Sequence, residues 1–247
     1  MVTPFLATVA WLVLGHAVLA ALFWGLLQVP ESTAFMVALS ALVVAVLIVV
    51  AAEVEVFALL WPRRVHAADV ASSTPASGKA TRIQRMVRAV PAFLVALAVF
   101  GVFFGATGRA AAWLTAHRGE IDAWMIAHLK TVGTAPLHAT LAWIVWFVRY
   151  GLGISISLAL LWHLATAGWK SLGRFAWLWA GLRPGRVLLV ALWMLVFVWL
   201  PWQGVYWRPK SLPPTWLEPV FVTTKLVVIY VLGNVGWALA LRTSAGK

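Results

Sequence analysis

Six long apolar runs constrain the fold of this 247-residue chain more than anything else in it. They cover about 5–28, 33–60, 89–107, 139–166, 186–202 and 217–241. A helix needs roughly 17–25 apolar residues to cross the hydrocarbon core of a bilayer, and each run meets that length. Composition agrees. The chain is 63% hydrophobic and only 11% charged, whereas a soluble domain carries about 25% charged residues. Its mean hydropathy is +0.93. The expected fold is all-α: a polytopic six-transmembrane-helix bundle forming one domain over 1–247, with a flexible cytoplasmic loop at about 62–88.

The first run exceeds the 7–15 apolar residues of a signal-peptide core, and no Lys or Arg precedes it, so it is read as a retained helix. Orientation follows from the basic residues between spans. With the amino terminus inside, twelve Lys and Arg fall on the inner side and five on the outer. Both termini are therefore expected in the cytoplasm, and the bacterial inner membrane is the expected location. Eight of the 17 tryptophans, Trp24, Trp61, Trp202 and Trp216 among them, fall at or near span ends. Amphipathic rings collect at that depth.

Between spans three and four lies RAAAWLTAHRGEIDAWMIAHLKTVG, in which Trp113, Ile121, Trp124, Met125 and Leu129 recur at helical spacing against charged neighbours. This predicts an interfacial amphipathic segment, broken at Gly119, on the outer leaflet. The net charge of +12 points to anionic lipid, since the chain shows no nucleic-acid-binding motif. Arg82, Arg85, Arg88, Lys170, Arg174, Arg183 and Arg186 are the expected headgroup contacts. A cytoplasmic partner docking on the basic patch 81–88 is the alternative.

Two cations interrupt the apolar runs. Arg149 lies about ten residues into the fourth span and Lys225 about eight into the sixth. A charge at such depth is expensive and normally faces a partner, a cavity or a ligand. Glu218 is too far along its helix from Lys225 to pair with it, by about 10 Å. Glu53 and Glu55 fall late in span two and are expected near the inner headgroups. That leaves three options for Arg149: backbone carbonyls or hydroxyls such as Ser155 and Ser157, an acid from another subunit, or an anionic substrate. Arg149, Lys225, Ser155 and Ser157 are accordingly the candidate ligand-binding residues.

His16 and His163 are the candidate heme ligands, although they fall at different depths and no second pair accompanies them. No cofactor is expected, with heme or pigment as the alternative. The chain has no cysteine, and no HExxH, GxSxG, P-loop or acidic metal repeat occurs, so no catalytic residue or metal site is assigned. Gly101 and Gly105 form a GxxxG pair suited to close helix packing. The leading expectation is a non-catalytic subunit of a larger envelope or transport complex, associated with other membrane subunits or with copies of itself. The alternatives are a transporter or flippase for an anionic solute or lipid using Arg149 and Lys225, and a membrane-embedded enzyme or redox subunit using Glu53, Glu55 or a histidine as acid or base.

Overall fold

The computed structural model describes residues 2–28, 34–71, 82–129, 135–207 and 216–245. Among these the chain is 96% helical and without strands. In chain order the helices are α1 (Val2–Leu27), α2 (Ala34–Ala71), α3 (Arg82–Ala116), α4 (Arg118–Leu129), α5 (Ala135–Phe147) and α6 (Ile154–Ala167). They continue with α7 (Ala176–Gly181), α8 (Pro184–Met194), α9 (Leu200–Gln203) and α10 (Leu217–Ala245). A π-helical turn, Val148–Gly153, joins α5 to α6, and a second, Leu195–Trp199, joins α8 to α9.

Six of the helical segments are long and apolar enough to cross a membrane: Pro4–Leu27, Phe35–Leu60, Ala89–Ala116, Ala135–Ala167, Pro184–Tyr206 and Leu217–Ala245. Large apolar side chains point away from the protein along them, including Leu14, Phe35, Val102 and Leu188. A water-soluble surface rarely tolerates apolar exposure on that scale. A helix in lipid does, because it satisfies its own backbone hydrogen bonds.

α6 forms the centre. Every residue from Ile154 to Trp162 is buried, and α3, α7, α8 and α10 pack around it. The chain turns back after α6 through Gly168 (φ 72°) and Phe175 (φ 48°). This reversal lays α7 against α6 so closely that a Cβ on Gly181 would stand 2.8 Å from Ile156 Cα. The Ser155 hydroxyl then donates to the Gly181 carbonyl at 2.7 Å.

α1 packs antiparallel to both α2 and α10. Trp11 pairs with Val54 and Phe57 of α2, while Phe5 lies beside Arg242 and Val13 beside Tyr230 of α10. The two ends of the described chain therefore lie at the same end of the bundle.

Three sequence expectations change. Helix α3 continues to Ala116, so the first half of the amphipathic segment extends a spanning helix. The interruption falls at His117, and Gly119 lies inside α4. Helix also covers 62–71 and 82–88, within the expected flexible loop; residues 72–81 lie outside the described part. Finally, Gly101 and Gly105 do not meet another helix among the described residues, because a Cβ on either would have nothing within 4 Å. The close approaches occur instead at Gly15, Gly151, Gly153, Gly181 and Gly236.

Candidate functional site

Four polar side chains from α1, α2 and α10 converge inside the bundle. His16 is 12 residues from Pro4 and 11 from Leu27, midway along its span, or roughly 17 Å from either end at 1.5 Å per residue. Its Nε2 lies 2.9 Å from Glu55 Oε1 and its Nδ1 lies 2.6 Å from Asn234 Oδ1. The second carboxylate oxygen of Glu55 accepts a hydrogen bond from Trp237 Nε1 at 2.7 Å. Glu55 and Asn234 are buried, while the His16 side chain is 28% exposed.

Glycine next to two of these residues permits the convergence. A Cβ on Gly15 would stand 2.5 Å from a methyl of Val54, so α1 and α2 approach backbone to side chain just where His16 must reach Glu55. A Cβ on Gly236 would stand 2.6 Å from Phe197 Cβ, which draws α10 inward and carries Trp237 with it. Glu55 thus lies level with His16, although it stands five residues before the end of its own apolar span at Leu60 while His16 is midway along the α1 span.

The hydrogen-bond chemistry fixes the proton count. Asn234 Nδ2 donates to the Tyr230 carbonyl at 2.9 Å, which can only accept, so Asn234 presents its oxygen to His16. His16 Nδ1 must then carry a hydrogen. That leaves Nε2 facing Glu55 Oε1. Two lone pairs would repel at 2.9 Å, so one proton lies between them, on the imidazole or on the carboxyl.

This cluster borders a cavity of about 320 Å³, walled by His16, Ile229, Tyr230, Gly233, Asn234 and Trp237 together with Val198 and Trp202. A second cavity, of about 150 Å³, has Val198 and Trp202 in its wall as well and adds Trp146, Tyr150, Met194 and Trp199. Both π-helical turns line the second cavity, Tyr150 from the first turn and Val198 and Trp199 from the second. Such turns are rare and frequent at functional sites. The Trp146 indole N–H is buried and has no hydrogen-bond partner among the described residues.

The sequence-selected residues fall elsewhere. Arg149 donates from Nε to Thr107 Oγ1 at 2.9 Å, and its guanidinium carbon lies 4.3 Å above the Phe104 ring. Ser155 and Ser157 do not supply that hydroxyl; they donate to the Gly181 and Gly153 carbonyls. Lys225 donates to the carbonyls of Val205 (2.7 Å) and Trp207 (3.0 Å), closing the turn that follows α9. A cation is favoured at such a helix C-terminus.

His163 donates to the Ala159 carbonyl of its own helix and shares no partner with His16. Both ring nitrogens of His16 are engaged. Arg186 donates to the Ala180 carbonyl, and Arg183 is exposed. The side chains of Arg82, Arg85, Arg88, Lys170 and Arg174 lie outside the described part.

Sequence reasoning weighed His16 and Glu55 separately, counted Trp237 among the span-end tryptophans and passed over Asn234. The available signal was a polar residue deep in each of three apolar runs, which only mutual contact could satisfy. Among the described residues, no group of three or more His, Asp and Glu is arranged to hold a metal ion. Comparison with protein-family models, with curated proteins and with solved structures returns no match.

Proposed function

We propose that this chain is an integral protein of the bacterial inner membrane, with both termini cytoplasmic, that binds and releases a proton within the bilayer at the His16–Glu55 pair. One observation carries this reading: an imidazole and a carboxylate 2.9 Å apart, held from three helices, beside an open cleft. Intramembrane carboxylates and histidines commonly serve as proton relays. Asn234 and Trp237 act as positioning residues, one fixing the His16 tautomer and the other holding the free carboxylate oxygen.

The test is infrared titration of the protein in lipid. A carboxyl band that responds to pH and disappears in Glu55→Gln supports the reading. A spectrum without any pH-dependent change from Glu55 or His16 between about pH 4 and 9 removes it.

A second reading, a subunit of a larger envelope or transport complex, is favoured by the face of α3 bearing Gly101, Val102 and Gly105. This face is exposed and meets no other helix among the described residues. Small residues of this spacing let helices of different chains pack closely. Native purification in mild detergent tests it, and a monodisperse monomer without a co-purifying protein would count against it. An anion-carrying role for Arg149 and Lys225 is less favoured, since hydroxyl, ring and carbonyl groups of the chain already engage both cations. The segment at α4 is read as an outer interfacial helix, and anionic lipid as the counter-surface of the basic loops.

A further inference from the structure

We propose that Glu53 of one copy of this chain pairs with Arg149 of a second copy inside the bilayer. This names the partner in the second reading, a subunit of a larger complex, and rests on that reading.

Both groups lie in spanning segments, Glu53 in Phe35–Leu60 and Arg149 in Ala135–Ala167, and both are partly exposed. A charge within a bilayer normally faces an opposite charge, a cavity or a ligand. Thr107 takes one N–H of Arg149, and Phe104 covers one face of the guanidinium. A guanidinium has five N–H donors, so four are left without an acceptor among the described residues. Glu53 makes no hydrogen bond and no ion pair among the described residues. Its neighbour Glu55 is engaged by His16 and Trp237, and Asp122 by His138. One chain thus carries a cation short of an acceptor and an acid short of a donor, and does not join them.

The two groups stand at one depth. Gly151 packs against Ala191, since a Cβ on the glycine would lie 3.2 Å from the alanine Cβ. Successive spans run in opposite directions. Arg149, two residues before Gly151, is therefore level with Trp193, two residues after Ala191. The Trp193 carbonyl in turn lies 3.2 Å from a Cβ built on Gly236. Next to Gly236, Trp237 bonds to Glu55, two residues from Glu53. These contacts set Arg149 and Glu53 within about one helical turn, roughly 5.4 Å, along the axis. The long arginine side chain covers such an offset. Copies related by an axis normal to the bilayer keep their depth, so a level pair that does not meet within one chain can meet between two.

The surface around Arg149 admits a second helix. Phe104, under the guanidinium, is 45% exposed, and Gly101 and Gly105 on the same face of α3 have nothing within 4 Å of a built Cβ. A neighbouring backbone can approach closely there. Glycine alone would not choose a partner. The incompletely paired cation chooses one with a carboxylate at this depth, and this chain carries one.

Charge reversal tests the pairing. The full chain in phosphatidylcholine liposomes would carry a donor or an acceptor dye on a carboxy-terminal tag, and energy transfer between copies would report association. The unaltered protein should associate. Glu53→Arg and Arg149→Glu should each weaken association at least about tenfold, because each sets like charges against one another. Mixing the two variants should restore it, since each then supplies the charge that the other has lost. Restoration also shows that both variants fold, and no role of either residue within its own chain produces it.

An unaltered protein that stays monomeric overturns the inference, as do single variants that associate as tightly as it does or fail to restore one another on mixing. Glu53→Gln removes the charge without adding another, and undiminished association of that variant is equally fatal. The failures separate the two readings. A monomer in liposomes that co-purifies with a different protein from native membranes leaves the larger complex and removes the second copy. A monomer without a co-purifying protein removes both.

Discussion

Arg149 Nε lies 2.9 Å from the hydroxyl of Thr107, 42 residues earlier in the chain, and the guanidinium rests over Phe104 one turn away from that threonine. Thr107 itself donates to the Phe103 carbonyl at 2.7 Å, so α3 presents a prepared acceptor and an aromatic face to a cation of the following span. Gly108 lies beside the guanidinium, and a Cβ added there would make only an ordinary van der Waals contact with it, at 3.6 Å. The cation is thus stabilised by a dipole and a ring quadrupole rather than by a carboxylate. Among the described residues no Asp or Glu pairs with it.

Replacing Thr107 by Val keeps the shape and removes the acceptor. Thr107 is buried, so Arg149 would lose its hydroxyl partner in an apolar setting, with an expected loss of about 1–3 kcal/mol. Thermal unfolding in detergent measures this. An unchanged midpoint would show that Arg149 is satisfied elsewhere.

The His16–Glu55 pair predicts strong non-additivity. Removing one partner of a buried pair typically costs about 3–5 kcal/mol, because a charge is left uncompensated, whereas replacing both with apolar groups is far milder. His16→Leu and Glu55→Leu should each destabilise the protein more than the double variant does. Equal, additive losses in a double-mutant cycle would mean that the two groups do not share a proton.

Glycine substitutions should divide sharply. Gly181→Ala sets a methyl 2.8 Å from the Ile156 backbone, and Gly236→Ala sets one 2.6 Å from Phe197, so each should lose about 1–3 kcal/mol through overpacking. Gly101→Ala and Gly105→Ala meet nothing within 4 Å and should leave monomer stability within about 0.5 kcal/mol. If either of the latter dissociates a co-purifying subunit, that face is an interface between chains.

Lys225→Met removes both donors that hold the carbonyls of Val205 and Trp207. Amide hydrogen exchange should quicken over 204–207 while the interior of α6 remains protected. Uniform protection in the variant would show that the turn holds without the lysine.

Topology can be tested on the unmodified background, since the chain has no cysteine. A single cysteine at Ala76 should react only with reagents admitted to the cytoplasm, and one at Ser211 only with reagents outside. Labelling of Ala76→Cys and Ser211→Cys from one side would break the six-span arrangement.

The primary structure alone indicated an all-helical fold with six apolar helices of membrane-spanning length. Apolar runs of bilayer length leave the backbone no alternative to internal hydrogen bonding, and that is a local property of each run. It also marked Arg149 and Lys225 as groups requiring partners, without supplying the partners. Thr107, the carbonyls of Val205 and Trp207, and the meeting of His16 with Glu55, Asn234 and Trp237 were decided by how helices lie against one another. Those contacts join residues 18 to 218 positions apart, and the helices carrying them are apolar on all sides, so no periodicity points to the inward face. Register between helices was equally out of reach: the close approach of Val54 to Gly15 is what sets Glu55 level with His16. Hydrophobic length selects how many helices are fit to cross a membrane; only the close fit of side chains between helices selects which polar groups meet.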